Sequence, residues 1–162
     1  PILLTSRRHF KTLFWTRVGQ PHFLSPMSVS PLSLPMDDAL LSKIRRALVR
    51  SWSEKTSVCF CSDAAPSYGQ CAPTAIVIWK TFGGEILKTD GWPPNGRHFY
   101  NRIDVTRYDF TADQFSMPDY SHDVKYKDIL SNVAEAKSET ILGQIDELRR
   151  AFRKAFEEDD AR

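Results

Sequence analysis

The stretch from Cys71 to Phe82, Cys-Ala-Pro-Thr-Ala-Ile-Val-Ile-Trp-Lys-Thr-Phe, constrains this chain more than any other. Pro73 has no amide hydrogen and is tolerated only in the first turn of a helix. It also biases Ala72 away from helical backbone. The spacing therefore predicts a helix that begins at about Ala72 or Pro73 and is ended by Gly83-Gly84. Ala72, Ala75, Ile76, Val77, Ile78 and Trp79 leave hardly any polar face, and such a helix is stable only when other elements cover nearly every side of it. The remainder of the 162 residues must supply that cover, and a chain of this length builds one domain around one core.

The covering elements are legible on both sides. Asp37 or Asp38 can cap a leading helix in which Leu40, Leu41, Ile44, Leu48 and Trp52 recur at helical spacing. Lys43, Arg45, Arg46 and Arg50 fall mostly on its other side. Residues 53–70 read as a linker. After the glycine pair come a short strand from Glu85 to Lys88, a loop from Thr89 to Arg97, and two strands, His98–Ile103 and Thr106–Thr111, joined at Asp104-Val105. A closing helix over about Thr140–Phe156 carries Ile141, Ile145, Leu148, Phe152 and Phe156 as one stripe. Glu157–Asp160 put acids at the unfavourable end of its dipole, which predicts a frayed tip. The expected fold is α+β: a leading helix, a buried central helix bearing Cys71, a small antiparallel sheet and a C-terminal helix.

Composition divides the chain in two. Residues 1–35 hold Arg7, Arg8, Lys11 and Arg17, five prolines and no acidic residue. The reading is a disordered or non-native extension over 1–36 ahead of a single domain over 37–160. With Lys+Arg 22 against Asp+Glu 20 for the whole chain, charge gives no sign of a nucleic-acid partner. No stretch approaches the ~18–20 apolar residues of a membrane span. Three cysteines do not make a disulfide scaffold, which favours a reducing, cytoplasmic setting. No Gly-rich phosphate loop follows a strand.

Cys71 stands at the start of the central helix, where free backbone N–H groups and the positive dipole end favour a thiolate and can bind an oxyanion. A two-residue turn at Asp104-Val105 pairs Ile103 with Thr106, sets Tyr100 opposite Asp109 and His98 opposite Thr111, and makes His98 and Asp109 diagonal neighbours on one sheet face. Phe99, Ile103, Tyr108 and Phe110 take the other. A type I′ turn would prefer Gly where Val105 stands. Thiol, imidazole and carboxylate then follow in the order that nucleophilic acyl chemistry uses, with Gln70, Tyr68 and Tyr100 as candidates for oxyanion or substrate contacts. Cys59, Cys61, Cys71 and His98 form an alternative zinc set, but their spacing matches no common zinc module, and no metal or cofactor is expected. His9, His22 and His122 read as solvent-facing, and Trp92–Gly96 as a pocket rim or a plain loop. The leading expectation is a cysteine hydrolase or acyltransferase acting on an amide or thioester of a small molecule or peptide. The alternative is a non-enzymatic binding domain whose Cys71 is packed and unreactive.

The blocks Pro66-Ser67-Tyr68-Gly69-Gln70-Cys71-Ala72, Gly83-Gly84-Glu85-Ile86-Leu87, His98-Phe99-Tyr100-Asn101-Arg102-Ile103-Asp104 and Tyr108-Asp109-Phe110-Thr111 resemble the YunG-like family of small bacterial proteins, over roughly Leu40 to Asp123. The order Cys71, His98, Asp109 also resembles the papain-like superfold of NlpC/P60 peptidases, transglutaminase-like proteins and arylamine N-acetyltransferases. That second resemblance implies a papain-like core.

Overall fold

The computed structural model describes residues 36–57, 59, 65–92, 96–116 and 124–160. The expected extension over 1–36 lies outside them except for Met36, as do Cys61, His9, His22, His122 and residues 93–95 of the Trp92–Gly96 loop. The described residues form an α+β fold with four α-helices and one four-stranded antiparallel sheet.

Helix α1 spans Asp38–Ser51 and α2 spans Cys71–Phe82. The Asp37 carboxylate accepts the Leu40 amide at 2.8 Å, so the N-cap falls where the sequence places it. Ile44, Ala47 and Leu48 of α1 pack against Ala75, Ile76, Val77 and Ile78 of α2, all of them buried. At the end of α1 the Trp52 indole N–H donates to the Thr74 hydroxyl at 3.0 Å, tying the two helices together at the end where Cys71 sits.

Gly83 and Gly84 turn the chain out of α2 with φ of 78° and 80°. A Cβ on Gly84 would stand 2.3 Å from the Arg102 carbonyl oxygen, so this close approach to the sheet admits glycine alone. Strand β1, Glu85–Trp92, is twice the expected length, because it pairs with β2, Gly96–Ile103, all the way to Trp92↔Gly96 through an irregularity after Asp90. The prolines and glycines of the 89–97 stretch suggested a loop, yet cross-strand pairing with β2 keeps Thr89–Trp92 in strand and begins β2 at Gly96. Strand β3, Thr106–Tyr108, is half the expected Thr106–Thr111. The pairs Ile103↔Thr106, Arg102↔Arg107 and Asn101↔Tyr108 form, but the expected pairing of Asp109 with Tyr100 and of Thr111 with His98 does not, because the Asp109 carboxylate accepts the Thr111 amide and turns the chain out of the ladder. Asp104 takes the positive φ of this turn, 54°, so Val105 needs none and points into solvent. That is how the turn does without glycine at its second position.

Beyond the hairpin, Ala112–Ser116 forms a short 3-10 helix, β4 (Ile129–Ser131) adds to the far edge of β1, and α3 (Val133–Lys137) follows. The strand order is β3-β2-β1-β4. Helix α4 runs Gln144–Asp160. It starts later than the periodicity suggests, leaving Ile141 outside the helix and largely exposed, while Ile145, Leu148 and Phe152 reach the core. Its acidic tip stays helical. Asp159 accepts from Arg46 at 2.6 Å and from Arg50 at 3.1 Å, and Asp160 pairs with Lys43. The basic side of α1 thus supplies the charge that the α4 dipole lacks at that end.

The sheet is covered on both faces. Ile86, Phe99 and Ile103 meet the helices, and the Asn101 amide donates to the Ala75 carbonyl at 3.0 Å, fastening β2 to α2. On the other face, residues 124–128 cross Thr89 and Tyr100. The Thr89 hydroxyl donates to the Lys125 carbonyl and accepts the Lys127 amide, and the Tyr100 hydroxyl accepts the Asp128 amide at 2.9 Å.

Candidate functional site

Three elements converge where α2 begins. Gly69, with φ of 70°, lets the turn before α2 lie against Ser57 and Cys59; a Cβ there would stand 2.4 Å from the Ser57 hydroxyl oxygen. The backbone then enters α2 through Gln70, whose carbonyl accepts the Thr74 amide. Gln70 gives the helix no side-chain cap. The first-turn amides of Cys71 and Ala72 have no partner within a helix, and Pro73 contributes no amide at all. Cys71 is partly exposed at this end.

His98, on β2, is 1 % exposed. Its Nε2–H donates to Asp109 Oδ2 at 2.7 Å, so the hairpin register places imidazole and carboxylate together as the sequence suggested. Asp109 follows β3 directly and accepts from four groups: His98, the Tyr126 hydroxyl at 2.7 Å, and the Thr111 amide and hydroxyl at 3.0 and 3.1 Å. Burial raises the Asp109 carboxyl, but these donors outweigh burial and hold it below the ordinary aspartate range. For His98, burial lowers the imidazole, whereas hydrogen bonds to Asp109 and to the Cys71 thiol, with the charges behind them, push it up to about 9. Cys71 is therefore within hydrogen-bonding reach of the ring.

Aromatic groups wall the imidazole. Tyr100 stacks on it at 5.8 Å between ring centroids, and Phe115 meets it edge-on at 4.6 Å. The Tyr100 hydroxyl donates to the Lys88 carbonyl and accepts from Asp128, and burial pushes it up to about 12. Tyr126 is raised too, by burial and then by Asp109, and the Arg107 guanidinium lies over its ring at 4.5 Å. Of the remaining candidates, Tyr68 is half-buried and its carbonyl accepts from Ser57. Gln70 is fully buried, with its amide nitrogen donating to the Ser53 carbonyl at 3.2 Å and its Oε1 without a partner. Among the described residues no group of three or more His, Cys, Asp or Glu is placed to hold a metal ion, and Cys59 is exposed.

Tyr126 and Gln114, whose amide nitrogen lies 3.2 Å from His98 Nδ1, are residues that the sequence did not single out. Tyr126 arrives from 17 positions beyond Asp109 on an irregular segment and carries no local signal. The Asp109–Thr111 contact does have one, since an aspartate readily accepts the amide two residues on.

A sequence model of the YunG protein family matches residues 40–157. The chain belongs to that family. Over 115 residues it is 38 % identical to a relative from Bacillus subtilis (strain 168) described as "Uncharacterized protein YunG", an alignment covering 69 % of this chain and 90 % of the relative. No solved structure matches it. Among the described residues no helix is long and apolar enough to cross a membrane.

Proposed function

We propose that this YunG-family protein is a cysteine-dependent acyl hydrolase acting on an amide or thioester of a small molecule or peptide. The observation that carries the reading is a buried imidazole hydrogen-bonded to Asp109, with a partly exposed thiol at a helix N-terminus beside it. Asp109 engages Nε2, so Nδ1 holds the proton of the Cys71 thiol when sulfur attacks the carbonyl carbon. The developing oxyanion is met by first-turn backbone amides of α2. Collapse of the tetrahedral adduct expels the amine or thiol, which receives the proton from Nδ1. Water then attacks the acyl-sulfur bond, giving its proton to Nδ1. The acid departs, and the proton returns to sulfur. Hydrolysis is favoured over transfer because water needs no second binding site.

Within this reading Gln70 and Tyr100 position the site: the first packs the turn before Cys71 and the second braces the imidazole. Tyr68 is left for substrate contact. The order helix, antiparallel strands, with thiol, imidazole and carboxylate in sequence, supports a compact relative of the papain-like core in which β1 alone separates the cysteine helix from the histidine strand. A free nucleophilic thiol suits a reducing, cytoplasmic setting. The partial exposure of Cys71 favours the enzyme over a binding domain with a packed thiol.

The test is alkylation of the folded protein by iodoacetamide at pH 6, read cysteine by cysteine by mass spectrometry, with Cys59 as internal reference. His98→Ala is expected to slow Cys71 at least tenfold and to leave Cys59 unchanged. Equal rates in both proteins, or a Cys71 that resists labelling until unfolding, would overturn the assignment. Hydrolysis of simple aryl esters and thioesters, absent in Cys71→Ala, is the matching activity assay.

A further inference from the structure

The amide of Gln114 is fixed by its neighbours. Its nitrogen donates to the Thr111 carbonyl at 2.8 Å, and a carbonyl oxygen only accepts, so this end of the side chain must be the NH2. The same nitrogen stands 3.2 Å from His98 Nδ1. An amide nitrogen donates and does not accept, so the contact is favourable only while Nδ1 carries a lone pair. Gln114 is 7 % exposed, and no reorientation lets its oxygen replace the nitrogen without setting two carbonyl oxygens against each other at Thr111.

We propose that Gln114 is a positioning residue that holds the neutral imidazole of His98 as the Nε2–H tautomer and opposes protonation at Nδ1. The inference rests on the role given above to His98. Asp109 and the thiol draw a proton onto the ring, and Gln114 resists it. Gln114 thereby limits how tightly Nδ1 holds the proton and eases its transfer to the leaving group. Among the described residues, the titratable groups facing the ring are Asp109, from the segment after β3, and Cys71, from α2. Tyr126 acts through Asp109, and Tyr100 stacks alongside with its hydroxyl engaged elsewhere. Gln114 is the neutral donor set against them.

The test is the titration of the His98 ring nitrogens by 15N NMR in histidine-labelled protein, which has four histidines, with His98→Gln identifying the signal. Gln114→Met keeps the volume but has no N–H. The Thr111 carbonyl still accepts the backbone amide of residue 114 at 3.3 Å, so the local turn has support. At the alkaline end the wild type is expected to show hydrogen on Nε2 and none on Nδ1. In Gln114→Met the midpoint moves upward by up to about one pH unit, a tenfold shift in the protonation equilibrium. Gln114→Glu, which accepts from Nδ1–H, moves it further. A role in packing alone predicts the opposite sign for Gln114→Met, since a more apolar wall disfavours charge. A midpoint that falls or stays in Gln114→Met, or a neutral ring bearing its hydrogen on Nδ1, would overturn the inference and leave the catalytic reading intact. Insensitivity of Cys71 alkylation to His98→Ala overturns the catalytic reading itself, whatever Gln114 does to the ring.

Discussion

The linked protonation of His98 gives the protein a stability that depends on pH in a calculable direction. Its imidazole is pushed up to about 9 in the folded chain from the ordinary histidine value of 6.5. The folded state therefore holds a proton that the unfolded state has released between these values. Stability from this source is complete below pH 6.5 and is lost as pH rises through 9, at ~1.4 kcal/mol per pH unit, or about 3 kcal/mol in all. With a urea dependence of about 1–3 kcal/mol per molar for a domain of this size, the unfolding midpoint should fall by about 1–3 M between pH 6.5 and 9. Urea titrations followed by tryptophan fluorescence at half-unit pH intervals measure it. His98→Gln, which cannot titrate, should flatten the profile over that window. Asp109→Asn, which removes the main partner, should flatten most of it. A wild-type midpoint constant from 6.5 to 9, or the same fall in His98→Gln, would refute the linkage and with it the charged pairing at the site.

Three further outcomes follow from particular contacts. Asp109→Asn keeps the shape but must present an NH2 either to Thr111 or to His98; facing His98 it forces hydrogen onto Nδ1, and turnover in the ester assay should fall about 10³–10⁴-fold with the circular dichroism spectrum intact. Gly84→Ala combines a φ of 80° with a Cβ 2.3 Å from a backbone oxygen, so it should cost at least about 2 kcal/mol in denaturant titrations, far more than Gly83→Ala, whose Cβ meets nothing. Asp159→Ala removes the acceptor shared by Arg46 and Arg50, and hydrogen exchange in the last turn of α4 should speed up while the helix centre is unchanged.

What the sequence disclosed was what local rules govern. Pro73 and Gly83-Gly84 bracket α2 because both act through backbone geometry at their own positions. Alternating polarity around Asp104-Val105 fixed the register that joins His98 to Asp109, since a slip by one residue would have put Phe99 and Ile103 outside the core. Strand β4 and the end of β1 were not legible, because their partners lie far along the chain and three residues such as Ile129–Ser131 have no periodicity of their own. The α4 tip misled for the same reason: four acids at a helix C-terminus are unfavourable alone and favourable against Lys43, Arg46 and Arg50. Around His98, the local hairpin contact was foreseeable, whereas Tyr126 and Gln114 depend on how the chain returns after the sheet is built.

Of the three groups at the candidate site, His98 and Asp109 have side chains 1 % and 6 % exposed, and only Cys71 meets solvent to any extent. Tyr100, Phe115, Gln114 and Asp109 take up other sides of the ring. A proton lodged on that imidazole has one short way out, through the sulfur or through whatever the sulfur holds. Each turnover would send one proton out on the leaving group and draw one in from the attacking water, both past the sulfur, and its rate should not follow buffer concentration.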